Sequence, residues 1–247
     1  MKKFALVVLI IAGLAACSEH GGQKQNIAEK EKSLSAKNDT AFNKTGKNEE
    51  VISPGRATLV DIATAKKAYN KGIELYGSGK LKAALEQFKT VLGNNPKNSM
   101  ALHYMGRIYF DMGDKKKALS YYKDAARNNI NDSVSVLGIG QIYFDMGDKK
   151  NAMEYYNMSL EIGPHFALAY YNRGTLYGMQ NQYQKALDDL NKSIQYDSTN
   201  GNAYINRGLA HYYLKNLDLA CKDWQKAADM GLKQGKDAMD MYCRKRK

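Results

Sequence analysis

Large apolar side chains recur along the chain with the spacing of paired amphipathic helices. The nonapeptide Ile-Tyr-Phe-Asp-Met-Gly-Asp-Lys-Lys occurs at residues 108–116 and again, 34 residues later, at 142–150. A period of this length is the signature of a repeat architecture, in which each unit buries its apolar face against the next unit. The pattern predicts an all-α stack of helix pairs, each made of a helix A and a helix B.

The same period aligns small residues at two positions. One position lies midway along helix A and the other on helix B: Gly72, Gly106, Gly140, Gly174 and Gly208 on A, and Ala84, Ala118, Ala152, Ala186 and Ala220 on B. Glycine inside a helix costs about 1 kcal/mol relative to alanine, so five glycines in register predict a compensating close approach of helix B. Large apolar residues surround these positions: Leu75, Tyr109, Tyr143 and Tyr177 on A, and Phe88, Tyr122, Tyr156, Leu190 and Trp224 on B.

The turns divide the chain into units. Gly79, Gly113 and Gly147 are predicted to end helix A with a positive φ, and Asn181 and Lys215 stand at the same position in the last two units. Residues 57–234 are therefore predicted to hold five repeats, at 65–98, 99–132, 133–166, 167–200 and 201–234. Residues 235–247 are predicted to be a capping helix and basic tail, with Ala238, Met239, Met241 and Tyr242 covering the last repeat.

This combination of small and aromatic positions at a period of 34 resembles the tetratricopeptide repeat (TPR) family. The resemblance implies a right-handed α-α superhelix, or TPR solenoid, of five helix-turn-helix repeats. It also implies a concave groove lined by the A helices, in which a non-enzymatic adaptor binds a peptide or protein partner. The positions expected to face the groove are Tyr69, Asn70, Tyr76, His103, Tyr104, Arg107, Phe110, Gln141, Phe144, Tyr171, Asn172, Asn206, Tyr212 and Tyr213.

Two kinds of ligand suit these groove residues. Tyrosine and arginine are favoured at protein interfaces, and the recurring Asn70, Asn172 and Asn206 resemble the asparagine ladder with which some TPR superhelices hold a peptide backbone. The alternative is a carbohydrate- or peptidoglycan-binding envelope module, because tyrosines could also hold sugar rings. We expect that Tyr104→Ala combined with Asn172→Ala weakens partner capture without unfolding the array.

The N-terminus has the pattern of an export signal. Lys2 and Lys3 precede an apolar run at residues 4–16, which ends Leu-Ala-Ala before Cys17. This ending resembles the lipobox of Gram-negative bacterial lipoproteins. The resemblance implies a signal peptide at 1–16 and lipidation of Cys17, including palmitate or a similar chain, and Ser18 favours the outer membrane facing the periplasm. Residues 17–56 are polar and aperiodic, which predicts a flexible tether behind the lipidated cysteine.

The net charge of +12 does not by itself indicate a nucleic-acid partner. Lys2 and Lys3 contribute +2, residues 18–56 contribute +1, and the last four residues contribute +4. Residues 57–243 hold 24 basic and 19 acidic side chains, a surplus of +5. We interpret this body as a mildly basic, solvated surface that does not bind nucleic acid, and the oligomeric state is left open.

The remaining residues offer little chemistry. Cys221 and Cys243 would meet if the cap packs antiparallel to the last helix B, which predicts either a disulfide or two reduced, packed cysteines. The four histidines lack metal-ligand spacing, and no hydrolase motif is present, so no catalytic residue, metal or cofactor is expected. The adjacent Asp188 and Asp189 are interpreted as solvated charges.

Overall fold

The computed structural model describes residues 59–243, and it is all-helical over that range. The predicted signal peptide (1–16), Cys17, the tether (17–56) and the tail after Cys243 lie outside the described residues. The helices are α1 Leu59–Gly77, α2 Leu81–Asn94, α3 Ser99–Asp111, α4 Lys115–Asn128, α5 Ser133–Asp145, α6 Lys149–Ile162, α7 Ala167–Met179, α8 Tyr183–Tyr196, α9 Gly201–Tyr213, α10 Leu217–Asp229 and α11 Lys233–Ala238. A π-helical turn, Met239–Cys243, follows α11.

These helices form two compact units. The first unit, residues 59–128, contains α1–α4, and the second unit, residues 129–243, contains α5–α11 and the π-helical turn. Within each unit, consecutive helices pack as helix-turn-helix pairs, which confirms the all-α helix-pair architecture. None of the helices within residues 59–243 is long and apolar enough to cross a bilayer.

The recurring glycines let the two helices of each pair pack in direct contact. A Cβ atom added to Gly140 would lie 2.7 Å from the ring of Tyr156, and one added to Gly106 would lie 2.9 Å from the ring of Tyr122. The same crowding by one large side chain occurs at Gly72–Phe88 and Gly208–Trp224. Gly174 is slightly less crowded, since an added Cβ would lie 3.1 Å from both Asp189 and Leu190. The five aligned alanines of helix B are also buried. This packing confirms the predicted close approach of helices A and B.

The turns also follow the sequence prediction. Gly79, Gly113 and Gly147 have φ values of 73°, 82° and 81°, and Asn181 and Lys215 adopt the same left-handed conformation at 60° and 68°. Helix A then begins at Ser99, Ser133, Ala167 and Gly201 in repeats two to five. The first A helix is longer, because it begins at Leu59, six residues before the expected unit.

The cap begins earlier than residue 235, because Gly231 adopts a positive φ of 84° just after α10 and α11 follows at Lys233. Ala238 is buried, and the ring of Tyr242 lies 4.9 Å from that of Tyr212. The expectation that Met241 covers the last repeat is wrong, since its side chain is 39% exposed.

Two residues before the π-helical turn have close contacts that the sequence pattern did not indicate. Leu232 packs directly against Gly201 at the start of α9. Gly235 lies so close to α10 that an added Cβ would be 2.6 Å from the backbone nitrogen of Ala228. The cap therefore holds both helices of repeat five.

Cys221 and Cys243 are joined by a disulfide, with Cα atoms 5.9 Å apart. Cys221 lies on α10 and Cys243 ends the π-helical turn, so the bond ties the cap to the last repeat. It closes a loop with a sequence separation of 22 residues.

We predict that Gly140→Ala lowers the free energy of unfolding by about 1–3 kcal/mol, because the new methyl group would overlap the Tyr156 ring. Gly93→Ala is the matched control, since an added Cβ there meets nothing within 4 Å. Urea denaturation followed by circular dichroism measures both variants. Equal stability of the two variants would contradict the close-packing explanation.

We also predict that Cys243→Ser destabilises the cap by up to about 3 kcal/mol, because a disulfide that closes a loop of this size lowers the conformational entropy of the unfolded chain by about that free energy. Hydrogen exchange should quicken in α10 and α11 and stay unchanged in α1 and α2. Mass spectrometry of unreduced peptides provides the redox control. Free thiols at both positions in protein isolated from the cell would contradict this prediction.

Candidate protein-binding surface

The fourteen positions expected to face a groove are divided equally between the two units. Residues 59–128 contain Tyr69, Asn70, Tyr76, His103, Tyr104, Arg107 and Phe110, and residues 129–243 contain Gln141, Phe144, Tyr171, Asn172, Asn206, Tyr212 and Tyr213. Their burial ranges from an exposed Asn70 to a Tyr104 that is only 1% exposed. They therefore cannot all serve as contact residues.

Tyr104 is a core residue in the first unit. Its ring stacks on Phe88 with the centroids 4.9 Å apart, and the rings of Tyr69 and Tyr76 meet it edge-on at 6.0 Å. This aromatic cluster fills the interface between repeats one and two. The expectation that Tyr104 can be replaced without affecting folding is therefore corrected.

Three further positions are also packed inside the protein. Tyr76 is buried and donates a hydrogen bond to Asp111 at 2.9 Å, and burial raises the pKa of its phenol well above the usual range. His103 is buried between the rings of Tyr104 and Tyr122, and Tyr171 is buried in the core of repeats four and five. A direct binding role is thus corrected for these side chains, since their rings fill space between helices.

A shallow depression lies between repeats four and five of the second unit. Its lining is mostly apolar, with polar atoms from one threonine, one asparagine and two tyrosines: Gly174, Thr175, Gly178, Met179, Tyr183, Ala186, Leu190, Asn206, Leu209, Ala210 and Tyr213. Helices α7 and α9 supply most of this lining, and α8 closes one side. Asn206 and Tyr213 are the two sequence-predicted groove residues that contribute to it.

Two of the predicted groove asparagines differ in their hydrogen bonds. Asn206, in the lining of the depression, donates from Nδ2 to Thr175 Oγ1 at 2.9 Å, and Thr175 Oγ1 donates in turn to the Tyr171 carbonyl oxygen at 2.8 Å. Asn172 Nδ2 is buried and has no hydrogen-bond partner among the described residues, and Asn172 is not part of the lining. Of these two asparagines, only Asn206 is therefore placed to contact a ligand in the depression.

Tyrosines form one rim of the depression. Tyr183 and Tyr213 stack with their centroids 4.5 Å apart, and Tyr212 meets Tyr213 edge-on at 5.8 Å. Burial raises the pKa of both Tyr183 and Tyr213. The phenols are therefore neutral at physiological pH, and the Tyr183 O–H donates to Asn181 Oδ1 at 2.7 Å.

The sequence analysis did not identify Thr175, Gly178, Met179 or Tyr183 as site residues. Thr175 lies three residues after Asn172 on the same helix, so helical periodicity contained a signal for it. Tyr183 follows a turn and is brought to the site only by the packing of α8. Gln141 and Phe144 are half-buried on α5 and are not part of the depression.

Asp189 is not the solvated charge that the sequence suggested. It is 4% exposed and accepts two hydrogen bonds from Arg173, at 2.7 and 2.8 Å. The third arm of this guanidinium donates to Asn157 Oδ1 at 2.8 Å. A bidentate pair of this kind fixes both side chains and leaves the carboxylate engaged in structure.

The same cluster recurs 34 residues later, where Arg207 pairs with Asp223 and donates to Asn191. Repeats two and three instead have stacked tyrosines at the corresponding place on helix B, Tyr121 against Tyr109 and Tyr155 against Tyr143. These clusters tie helices together and do not form a reactive centre. Within residues 59–243, no three His, Cys, Asp or Glu side chains are grouped to hold a metal.

Comparison with known families gives two matches along the chain. Residues 38–167 match the family model described as the SusR N-terminal TPR domain, and residues 167–200 match the model described as Tetratricopeptide repeat. Neither description is of a catalytic domain. A search of curated proteins gave no match.

Solved structures share the fold at low sequence identity. PilW, described as a widely conserved type IV pilus biogenesis factor, is 18% identical with a TM-score of 0.60, over 71% of this chain and 79% of its own. TTC0263, a TPR protein from Thermus thermophilus, is 20% identical with a TM-score of 0.59, over 72% and 96%. YrrB, described as a TPR protein with an unusual peptide-binding site, is 18% identical with a TM-score of 0.54, over 75% and 100%.

We predict that replacing Tyr104 and replacing Asn172, which the sequence placed together in the groove, change the free energy of unfolding by very different amounts. Tyr104→Ala should lower the free energy of unfolding by about 3–5 kcal/mol, because it empties the aromatic core of the first unit. Asn172→Ala should change stability by less than about 1 kcal/mol, because it removes an amide without a partner. Thermal unfolding of both variants, with Tyr104→Phe as the control, measures the difference. A stable Tyr104→Ala variant would contradict this assignment.

Proposed function

Because this chain belongs to the tetratricopeptide repeat family described by the SusR N-terminal TPR domain, we propose that it is a membrane-anchored, non-enzymatic adaptor of the cell envelope. Repeats of this kind are protein-interaction scaffolds, since their stacked helices present extended binding surfaces. The partner is proposed to be an envelope protein that contributes an extended peptide segment. The contact surface is proposed to be the depression between repeats four and five.

The observation that carries this proposal is the mostly apolar depression between repeats four and five, with the amide of Asn206 in its lining. An extended peptide presents backbone N–H and C=O groups and alternating side chains. It is therefore able to form a hydrogen bond with the Asn206 amide while placing an apolar side chain against Leu209 and Met179. A contact of this kind holds the backbone of a peptide with little dependence on its sequence.

The side chain that fits the depression is small and apolar. Glycine and alanine form much of the lining, and Gly178 has only the Cβ of Ala186 nearby, at 3.9 Å from an added Cβ. The stacking of Tyr183 on Tyr213 closes the space between these two rings to a sugar. A peptide is therefore favoured over the carbohydrate alternative. The description of YrrB as a TPR protein with a peptide-binding site is consistent with this choice.

The envelope location rests on the sequence. The apolar run at 4–16 and the following Cys17 support export, cleavage and lipidation, with the mature protein held at the outer membrane and facing the periplasm. Several acyl chains on one residue give durable anchoring, whereas one chain is marginal. The 39 residues from 18 to 56 would then allow the repeats to reach a partner roughly 35 Å away.

We predict that Gly178→Leu abolishes partner capture while the protein stays folded, because an added Cβ meets only Ala186, at 3.9 Å, and the longer side chain would occupy the depression. Gly93→Leu is the control, since that position on α2 is also open. Crosslinking of the full lipid-modified chain in its native envelope, followed by identification of the captured peptide, measures the effect. Unchanged capture by Gly178→Leu would show that the partner binds elsewhere.

A further inference from the structure

The two units differ strongly in charge. Residues 59–128 hold thirteen basic and six acidic side chains, a net charge of +7, whereas residues 129–243 hold eleven basic and thirteen acidic side chains, a net charge of −2. The modest surplus of the repeats as a whole therefore arises from the first unit alone. A charge of this size on a small unit generates a potential that attracts anionic partners.

Five of the thirteen basic residues of the first unit lie on helix B at positions that all five repeats share. Apart from Gly93, lysine or arginine occupies these positions in repeats one and two, and neutral or acidic residues replace it in the later repeats, apart from Lys150 in repeat three: Lys82, Lys116, Lys150, Gln184 and Asp218; Lys89, Lys123, Asn157, Asn191 and Gln225; and Gly93, Arg127, Glu161, Gln195 and Asp229. Every repeat forms the same helix pair, so the fold itself does not require a cation there. The lysines of the first two repeats consequently serve something other than packing.

We define the basic face as Lys82, Lys89, Lys116, Lys123 and Arg127, on α2 and α4. All five side chains are exposed. Lys89 pairs with Glu86 at 2.8 Å, and Arg127 pairs with Asp124 at 2.6 Å, but both pairs lie in solvent and hold their partners weakly. No carboxylate within residues 59–128 forms a salt bridge with the other three lysines.

Two tyrosines border the basic face. Tyr109 and Tyr121 stack with their centroids 5.3 Å apart, and Lys117 lies 5.1 Å from the Tyr109 ring. Both rings are half-buried, so each combines an apolar body with a polar tip near the surface. An equivalent stacked pair, Tyr143 and Tyr155, occurs in repeat three, so these rings belong to the packing of the repeats, and the basic side chains distinguish this surface.

We propose that the basic face binds the anionic headgroups of the membrane that carries the protein. This proposal rests on the lipid anchor at Cys17 proposed above, because a flexible tether of 39 residues would place the first unit at an average distance of roughly 35 Å from its point of attachment. Lysines on an open helical surface attract anions without forming a shaped pocket. Such a surface suits a fluid layer of headgroups better than a folded partner. Each basic residue near such a surface contributes to attraction within about 8 Å at physiological salt.

Energy transfer from the full lipid-modified chain to vesicles tests this proposal. A fluorescent amino acid replaces exposed Ser120 on α4, and a second preparation carries it at exposed Asp188, the equivalent position of repeat four. The vesicles contain a headgroup-labelled acceptor in either phosphatidylcholine alone or phosphatidylcholine with one quarter phosphatidylglycerol. We expect transfer from position 120 to rise several-fold on the anionic vesicles and to return to the neutral level in about 0.5 M NaCl, where the screening length falls to roughly 4 Å.

Two charge variants distinguish an effect of the basic face from an effect of the net charge of the protein. Lys82→Gln, Lys89→Gln, Lys116→Gln and Lys123→Gln together should abolish the rise at position 120. The control variant neutralises four lysines of the second unit, Lys185, Lys215, Lys222 and Lys226, and should retain the rise. Circular dichroism confirms that both variants fold.

Three outcomes would overturn the proposal. They are equal transfer on neutral and anionic vesicles, an equal loss in both charge variants, and a salt-sensitive rise at position 188 that matches the rise at position 120. Crosslinking of position 120 to an acidic protein, with no dependence on lipid charge, would also overturn it. Flotation with phosphatidylcholine vesicles reports the anchor separately, so failure to float refutes lipidation of Cys17 and leaves the charge dependence as an independent result.

Discussion

Direct contact between a glycine on helix A and a large side chain on helix B is the constraint on which each repeat depends. At Gly140 the Tyr156 ring occupies the volume that any other side chain would need. This contact sets the separation of the two helices and so the positions of the residues at their ends. The turns with positive φ then join the helices in a fixed geometry. A constant frame of this kind allows exposed positions to vary freely, as the helix B lysines do.

The same frame is reinforced by different interactions in different repeats. Repeats two and three use stacked tyrosines, and repeats four and five use a buried arginine–aspartate pair with an asparagine as third partner. Stacked rings are insensitive to pH, whereas breaking a buried ion pair leaves an uncompensated charge. The second unit therefore combines the more polar interior with the depression that we assign to partner binding. Specific polar contacts also fix the orientation of α7 and α9, which line that depression.

The fold was largely predictable from the sequence, because its strongest signals are local and repeated. Glycine at a fixed spacing and a turn residue every 34 positions determine where helices begin and end. The site was predictable only in part, because burial depends on which neighbouring helix covers a side chain. Tyr104 and Asn172 both lie on A helices, yet the Tyr104 ring is enclosed by Phe88 while Asn172 keeps a buried donor without a partner. The pairing of Asp189 with Arg173 joins residues 16 apart, a separation for which no short motif exists.

The bond between Cys221 and Cys243 makes the two ends of the second unit unequal. In a stack of repeats, each terminal member has one neighbour where an inner member has two. Within residues 129–243, repeat five is fastened covalently to its cap, while repeat three, at the other end of the unit, has no disulfide. Loss of structure in this unit would then begin at repeat three. The depression proposed for partner binding, which belongs to repeats four and five, would open later.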